Sequence, residues 1–167
     1  PVLNNLVNVT NSDCAGSCNG SAVTIPSGGT PPYTLSWGAA GQTTNAVNGL
    51  CAGPQTVTVT DNNGCIKLSN FTVLEPAPIL ANEVVVQSQC LLNNGSITLA
   101  ASGGTGPYTY SWGAPLSSSS TSVSNLAAGS YTVTITDNVS CSKEFTIAVN
   151  DAAGPVASTT VTHATCP

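Results

Sequence analysis

An internal repeat of about 76 residues limits the possible folds of this chain more than any other feature of its sequence. The segment GGTPPYTLSW begins at Gly28 and returns as GGTGPYTYSW at Gly103. The segment TVTVTD from Thr56 returns as TVTITD from Thr132. Three cysteines keep the same interval, namely Cys14, Cys90 and Cys166. Because self-similarity at a fixed period marks a tandem array, the fold is expected to use one small unit more than once.

The repeat predicts where the units begin and end. We expect a first repeat over residues 1–75, a second over 76–154, and the opening strand of a third over 155–167. The junctions read EPAP and AAGP, and proline restricts the backbone towards an extended link. The chain starts at Pro1, contains no Met and shows no basic-then-apolar leader, so we expect it to be a mature piece of a longer protein.

Within each repeat the pattern indicates short β-strands. YTLSW alternates apolar and polar residues with period two, as a half-buried strand does. DNNG supplies turn residues between two strand-like runs and predicts a hairpin. We count six or seven strands in the first repeat, near Val7, Val23, Tyr33, Thr44, Val57 and Phe71. The predicted fold is all-β, with tandem immunoglobulin-like antiparallel β-sandwich repeats of about 76 residues.

One alignment of the two repeats conflicts with this pattern. Matching Asn19-Gly20-Ser21 with Asn94-Gly95-Ser96 puts Ala22 and Thr24 opposite Ile97 and Leu99, which disturbs the apolar phase. Either a one-residue gap is misplaced or a β-bulge is present.

Composition and charge exclude several classes of function. Charged residues make up 5% of the chain, and two lysines against seven acidic residues give a net charge of −5. Nucleic acid is excluded as a partner because phosphates are bound through clustered Lys and Arg. Membrane insertion is excluded because no apolar run approaches the roughly 20 residues of a spanning helix.

The seven cysteines indicate an oxidising compartment and a disulfide framework. Cys14 and Cys65 recur in the second repeat as Cys90 and Cys141, which predicts the pairs Cys14–Cys65 and Cys90–Cys141. Cys18 and Cys51 have no counterpart in the second repeat. Because they are absent together, we predict that they bond to each other.

Cys166 is left without a partner in this scheme. It is expected to pair about fifty residues further on, in the rest of a third repeat. The alternative is an intermolecular bridge, which leftover cysteines also form.

The sequence predicts no catalytic centre. The single histidine, His163, lies in the partial third repeat and is not reproduced at the matching positions, Asn11 and Gln87, whereas acid–base catalysis needs a positioned partner. Asp61 and Asp137 occupy the same turn of two separate repeats, so they are expected to cap their turns and not to form an acid pair.

No cofactor or metal is expected either. TDNNG offers some oxygen ligands for calcium, but the second copy, TDNVS, lacks counterparts of Asn63 and Gly64. Zinc is disfavoured because disulfides use the thiols and no second histidine is present.

The aromatic residues have two interpretations. Tyr33 and Trp37 share the inward phase of one strand, and Tyr108 and Trp112 share it in the second repeat, which predicts core aromatics. The alternative is a platform for sugars. Aromatic side chains exposed on one rim would favour sugar binding, and buried ones would favour a structural role.

The ordered motifs SGGTPPYTLSW, LCAGPQTVTVTDNNGC and FTVLEP, repeated as SGGTGPYTYSW, LAAGSYTVTITDNVSC and FTIAV, resemble the SprB-type repeat of gliding-bacterium surface adhesins. The resemblance implies a very long, secreted protein of the bacterial cell surface, exported by type IX secretion and serving adhesion or gliding motility. Cys18 and Cys51 are additions to the plain repeat pattern.

Two functional hypotheses follow. The first is a non-catalytic structural segment of an extracellular adhesin or filament, with neighbouring repeats as partners and lateral self-association into fibres through strand edges that few lysines guard. The alternative is a glycan-binding β-sandwich module that contacts surface glycans.

Overall fold

The computed structural model describes residues 1–38, 41–89 and 92–152. The strands of the first repeat are β1 (Asn4–Thr10), β2 (Gly20–Ser27), β3 (Thr34–Trp37), β4 (Ala46–Leu50), β5 (Gly53–Thr60) and β6 (Ile66–Val73). Those that follow are β7 (Leu80–Val86), β8 (Ser88–Gln89), β9 (Gly95–Ser102), β10 (Thr109–Trp112), β11 (Ser122–Leu126), β12 (Gly129–Thr136), β13 (Ser142–Val149) and β14 (Asp151–Ala152). Within these ranges every regular element is a strand, so the all-β prediction is confirmed.

The first six strands form two three-stranded sheets. One has the order β1-β2-β4 and the other β3-β5-β6, with antiparallel pairing in both. Buried residues of both sheets form one cluster, in which Ala22 and Val47 of the first sheet meet Trp37, Val57 and Val73 of the second. The sheets therefore pack face to face, as in an immunoglobulin-like sandwich.

The later strands repeat this arrangement. They form sheets of order β11-β9-β7 and β10-β12-β13, and a short parallel pair of β8 with β14. β9 and β2 have the same burial pattern over their first seven residues. The predicted alternation is also present in β12, where Tyr131, Val133 and Ile135 are buried and their neighbours are not.

The structure resolves the conflict in the repeat alignment. Ala22 and Thr24 are each 1% exposed, so they face the core as Ile97 and Leu99 do, and no gap is needed. The buried Thr24 hydroxyl donates a hydrogen bond to Asn5 Oδ1, which lets a polar side chain occupy an apolar position.

The irregularity lies on the partner strands. The register between β2 and β4 shifts between Gly20 and Ser21, and the same shift occurs in β11 between Ser124 and Leu126. The skipped residues are Gly49, with φ +74°, and Asn125, with φ +57°. Gly and Asn are the residues that adopt such a backbone most readily, so both repeats keep the bulge.

By compactness the chain forms two units. The first comprises Pro1–Leu80, Ala101–Thr109 and Thr136–Lys143, and the second comprises Ala81–Ala100, Tyr110–Ile135 and the described residues from Glu144. The division into 1–75, 76–154 and 155–167 stays a prediction from the repeat. His163 and Cys166 lie outside the described residues, as does Cys90. Among the described residues, no helix is long and apolar enough to span a bilayer.

Candidate functional site

The first unit contains a cysteine-bearing loop over residues 11–19, here called the Cys14 loop, between β1 and β2. Ser12 is 4% exposed and organises it. The Ser12 hydroxyl lies 2.6 Å from Asn19 Oδ1 and 2.8 Å from the Ser17 carbonyl oxygen. The Asn19 amide oxygen also accepts the Asp13 N–H, so the loop is held by its own polar side chains.

The Cys14 loop is fastened to the residues that follow β6. The Ser12 N–H donates to the Leu74 carbonyl oxygen at 2.9 Å, and the Leu74 N–H donates to Asn11 Oδ1 at 3.0 Å. The Gly16 N–H donates to the Glu75 carboxylate at 2.6 Å, a charge-assisted hydrogen bond. The loop is therefore positioned at the start of the link into the second repeat.

A disulfide between Cys18 and Cys51 braces the loop further. Cys51 lies between β4 and β5, at the end of the sandwich that carries the Cys14 loop. This pair is the one that the shared absence of both cysteines from the second repeat predicts.

The second component of the site is the hairpin turn over residues 137–141, here called the Asp137 hairpin. Asp137 Oδ1 accepts the N–H groups of Val139 and Cys141, at 3.0 and 2.9 Å. Asp137 Oδ2 accepts the Thr105 N–H at 2.9 Å. Burial acts to raise the pKa of the Asp137 carboxyl, but these three donors outweigh it and hold the pKa below its ordinary value.

A disulfide joins the two components, Cys14 to Cys141, across a sequence separation of 127 residues. Both cysteines lie in the first compact unit. Cys141 is 8% exposed, and its Sγ lies 3.2 Å from the carbonyl oxygen of Asp13. The bond therefore seats the Asp137 hairpin against the Cys14 loop.

This bond corrects the predicted pairing. Cys14 is not bonded to Cys65, and Cys141 is therefore not bonded to Cys90, so both predicted pairs are wrong. Cys65 is a free, exposed thiol.

The length of the sandwich explains the error. Cys14 follows the end of β1 at which Thr10 pairs with Ser21, whereas Cys65 lies at the other end, where Asn4 pairs with Ser27. Seven strand residues span about 20 Å, and a disulfide needs Cα atoms within about 7 Å. The Asp137 hairpin instead lies beside the link, because the Gly104 N–H donates to the Ala77 carbonyl oxygen at 2.7 Å.

The hairpin that carries Cys65 is built in the same way as its counterpart. Asp61 Oδ1 accepts the N–H groups of Asn63 and Cys65 at 3.0 and 2.8 Å, and Oδ2 accepts the Thr30 N–H at 3.0 Å. The Cys65 N–H, with those of Thr30 and Asn63, holds the pKa of Asp61 below its ordinary value. Both aspartates therefore cap turns, and they serve two different hairpins.

A cavity of about 230 Å³ lies beside the Cys14–Cys141 bond. The link Pro76–Ile79 lines one part of it, with Asp137 and Lys143 on the hairpin side. The lining includes neither a histidine nor an aromatic side chain. Across the part of the chain that the structure describes, no group of three or more His, Cys, Asp or Glu could hold a metal ion.

The four predicted core aromatic residues differ in burial: the two tryptophans are buried, and the two tyrosines are half-buried. Trp37 is 2% and Trp112 3% exposed, and their indole N–H groups donate to the carbonyl oxygens of Thr44 and Ser120. Tyr33 and Tyr108 are half-buried, and their hydroxyls donate to the carbonyl oxygens of two glycines, Gly28 and Gly103. The alternation of apolar and polar residues along each strand predicts the inward position of these aromatic residues. The comparison of the two repeats does not predict the polar network around Ser12.

Together, a tandem pair of immunoglobulin-like sandwich folds and a disulfide framework define an extracytoplasmic repeat protein. The SprB repeat family model matches two segments of the chain, residues 6–41 and 82–115. The SprB repeat is a repeat of cell-surface proteins.

Solved structures show similar folds at low sequence identity. The three N-terminal domains of the highly immunogenic outer capsid protein of bacteriophage RB49 match with a TM-score of 0.50 and 15% identity, over 90% of this chain and 59% of that one. A C-terminal fragment of intimin, solved with the intimin-binding domain of its translocated receptor, matches with a TM-score of 0.44 and 15% identity. That match covers 90% of this chain and 64% of the fragment. The chain thus spans less than two thirds of the length of these two structures, and no curated protein matches it.

Proposed function

We propose that this chain is a non-catalytic, force-bearing segment of a long cell-surface adhesin or extracellular filament that serves adhesion or gliding motility. The observation that carries the proposal is the Cys14–Cys141 disulfide, which closes a loop of 127 residues. The SprB repeats support the cell-surface setting.

The position of the bond determines the path of a pulling force. When the two ends of the chain are pulled, tension passes from Cys14 directly to Cys141 and bypasses residues 15–140. Those residues include β2 to β12 and the core around Trp37 and Trp112. The strands are therefore shielded from unfolding under tension.

The link into the second repeat is held by further contacts in the first unit. Gly104 donates to Ala77, and Gly103 has its Cα so close to the link that an added Cβ would lie 2.0 Å from the Pro78 carbonyl oxygen. Two prolines, Pro76 and Pro78, restrict the same segment. A repeat joined in this way transmits force with little slack.

Single-molecule force extension tests the proposal. With Cys14–Cys141 intact only about 40 residues can extend, so the fully stretched chain measures about 14 nm at roughly 3.6 Å per residue. In the variant Cys14→Ser/Cys141→Ser the Cys18–Cys51 bond still shields 33 residues. That variant is expected to reach about 48 nm on the same scale.

The matched control is Cys18→Ser/Cys51→Ser, which keeps Cys14–Cys141 and is expected to stretch no further than the unmodified chain. An oxidised, unmodified chain that stretches to about 48 nm would overturn the force-bearing role.

The glycan-binding alternative lacks comparable support. All eight aromatic residues lie in the described part of the chain, and each of them is buried or half-buried. The partners that the force-bearing role requires are neighbouring repeats.

A further inference from the structure

We propose that the Cys65 thiol is an attachment point for a second SprB-type repeat, and that it bonds to that repeat's counterpart of Cys14. The second repeat shows the bonded form of the same position: Cys141 stands there where Cys65 stands in the first repeat, and it is joined to Cys14. The proposal rests on the force-bearing function and extends it to the preceding junction.

The two hairpins present their cysteines on the same scaffold. Three backbone N–H groups bind the aspartate in each case, and the aspartate N–H donates to the cysteine carbonyl oxygen, at 3.0 Å for Cys65 and 2.9 Å for Cys141. A second rung forms between Asn62 and Thr30, and its counterpart between Asn138 and Thr105. Cys65 is therefore already placed for the contact that Cys141 makes.

The hydrogen bond that holds the link beside the Asp137 hairpin also has a counterpart in the first repeat. The Gly29 N–H donates to the Pro1 carbonyl oxygen at 3.2 Å, as the Gly104 N–H does to Ala77. Pro1 therefore occupies the position in the first repeat that Ala77 of the link occupies in the second, next to the Cys14–Cys141 bond. The end of the first sandwich that carries Pro1 and Cys65 thus has the features of a junction.

The two hairpins differ in whether another loop covers the cysteine. Cys141 is 8% exposed beneath the Cys14 loop, whereas Cys65 is exposed. A docked loop of the Cys14 type would cover the Cys65 thiol as the Cys14 loop covers Cys141.

The occupant is defined by chemistry that the chain itself displays. It is a loop that follows the first strand of an SprB repeat and carries a cysteine at the position of Cys14. Bond formation converts two thiols into one disulfide, and the two electrons and two protons reduce a small disulfide oxidant, such as oxidised glutathione, to two thiols.

Mass mapping of the protein isolated from its source, alkylated before digestion and kept unreduced, gives the partner of Cys65. We expect a cross-linked peptide with a Cys14-type sequence. A Cys14-type peptide from outside residues 1–167 indicates a preceding repeat of the same polypeptide. A peptide with Cys90 or Cys166 indicates a second copy when the unreduced species has twice the mass of the reduced chain, and it overturns the proposal when the two masses are equal. An alkylated Cys65, a small-molecule adduct or a bond to Cys14 of the same chain overturns the proposal.

A reconstitution tests the same contact with purified chains. The acceptor, Cys90→Ser/Cys166→Ser, keeps Cys65 as its free thiol. The donor adds Cys65→Ser and Cys141→Ser to these changes and frees Cys14. In oxidised glutathione, the mixed dimer should form at least tenfold more than with a control donor that carries Cys14→Ser and an exposed Ser36→Cys instead.

Equal yields from the two donors would contradict the proposal. The mapping needs no altered chain, so a donor that fails to fold leaves it intact. Neither readout depends on extension under force, so this inference and the force-bearing role can fail separately.

Discussion

Asp61 and Asp137 occupy the same position in the hairpins of two successive repeats, and each carboxylate accepts three backbone N–H groups. Each aspartate thereby fixes the cysteine four residues later. One of these cysteines, Cys141, is bonded and the other, Cys65, is free. The same local structure thus presents a bonded cysteine in one repeat and a free cysteine in the other.

The aspartates predict how stability depends on pH. Both pKa values are lowered in the folded chain from an ordinary value of 3.8, so the unfolded chain binds protons first as the pH falls. Their contribution is fully present above about pH 5 and is lost as the pH falls through 3.8 and below. Urea unfolding from pH 5 to pH 2 should show a steep loss of stability.

The double variant Asp61→Asn/Asp137→Asn should be less stable at pH 5 and should show a flatter acid limb. Glu144→Gln, at an exposed position, is the control and should keep the steep limb. An unchanged acid limb in the double variant would assign the pH dependence to other groups.

Gly28 has no tolerance for a side chain. Its φ is +68°, and an added Cβ would lie 2.0 Å from the Val2 carbonyl oxygen. Gly28→Ala should lower the free energy of unfolding by at least about 3 kcal/mol, because a backbone clash adds to the strain of the left-handed conformation. Gly64→Ala, with φ +81° and no atom within 4 Å, should cost only about 1 kcal/mol. Equal losses in urea unfolding would contradict the clash.

Trp37 should contribute strongly to the core of the first repeat. It is 2% exposed, and its ring meets that of Phe71 edge-on with centroids 6.0 Å apart. Trp37→Ala should cost about 3–5 kcal/mol, and Trp37→Phe less, since it keeps a ring in the core. Circular dichroism during denaturant unfolding measures both, and a loss below about 1 kcal/mol for Trp37→Ala would place the side chain outside the core.

The Cys18–Cys51 bond closes a separation of 33 residues. Replacing both cysteines by serine should remove about 3–4 kcal/mol in the chain-entropy account. The second repeat has no such bond to lose, since Ala127 stands where Cys51 would be. Hydrogen exchange should therefore report faster opening in β2 and β4 than in β9 and β11, and uniform acceleration would contradict a local brace.

Particular residues show how far the sequence alone can lead. Alternation placed Trp37 and Tyr131 on inward faces, because the period of a strand is a local property. Thr24 conflicted with the apolar pattern because its partner, Asn5, comes from a neighbouring strand that local reasoning does not reach. The comparison of the repeats did not locate the bulge, because both repeats have it, and only the strand pairing places it at Gly49.

The disulfides show the same limit. A shift by one repeat maps Cys14 and Cys65 onto Cys90 and Cys141, and it is equally consistent with bonds within a repeat or between one repeat and the next. These two pairing schemes can be distinguished only by the end of the sandwich at which each cysteine lies, because a strand is longer than the reach of a disulfide. Cys18 and Cys51 escaped this ambiguity because one repeat alone carries them.

Non-reducing peptide mapping of this purified chain, with free thiols blocked beforehand, tests the central claim most directly. For residues 1–167 produced alone and isolated as a monomer, where the partner repeat proposed for Cys65 is missing, the account predicts a cross-linked pair of peptides that contain Cys14 and Cys141, with Cys65 recovered in its blocked form. A cross-link between Cys14 and Cys65 would contradict it, because the covalent path from the first repeat into the second would then be lost.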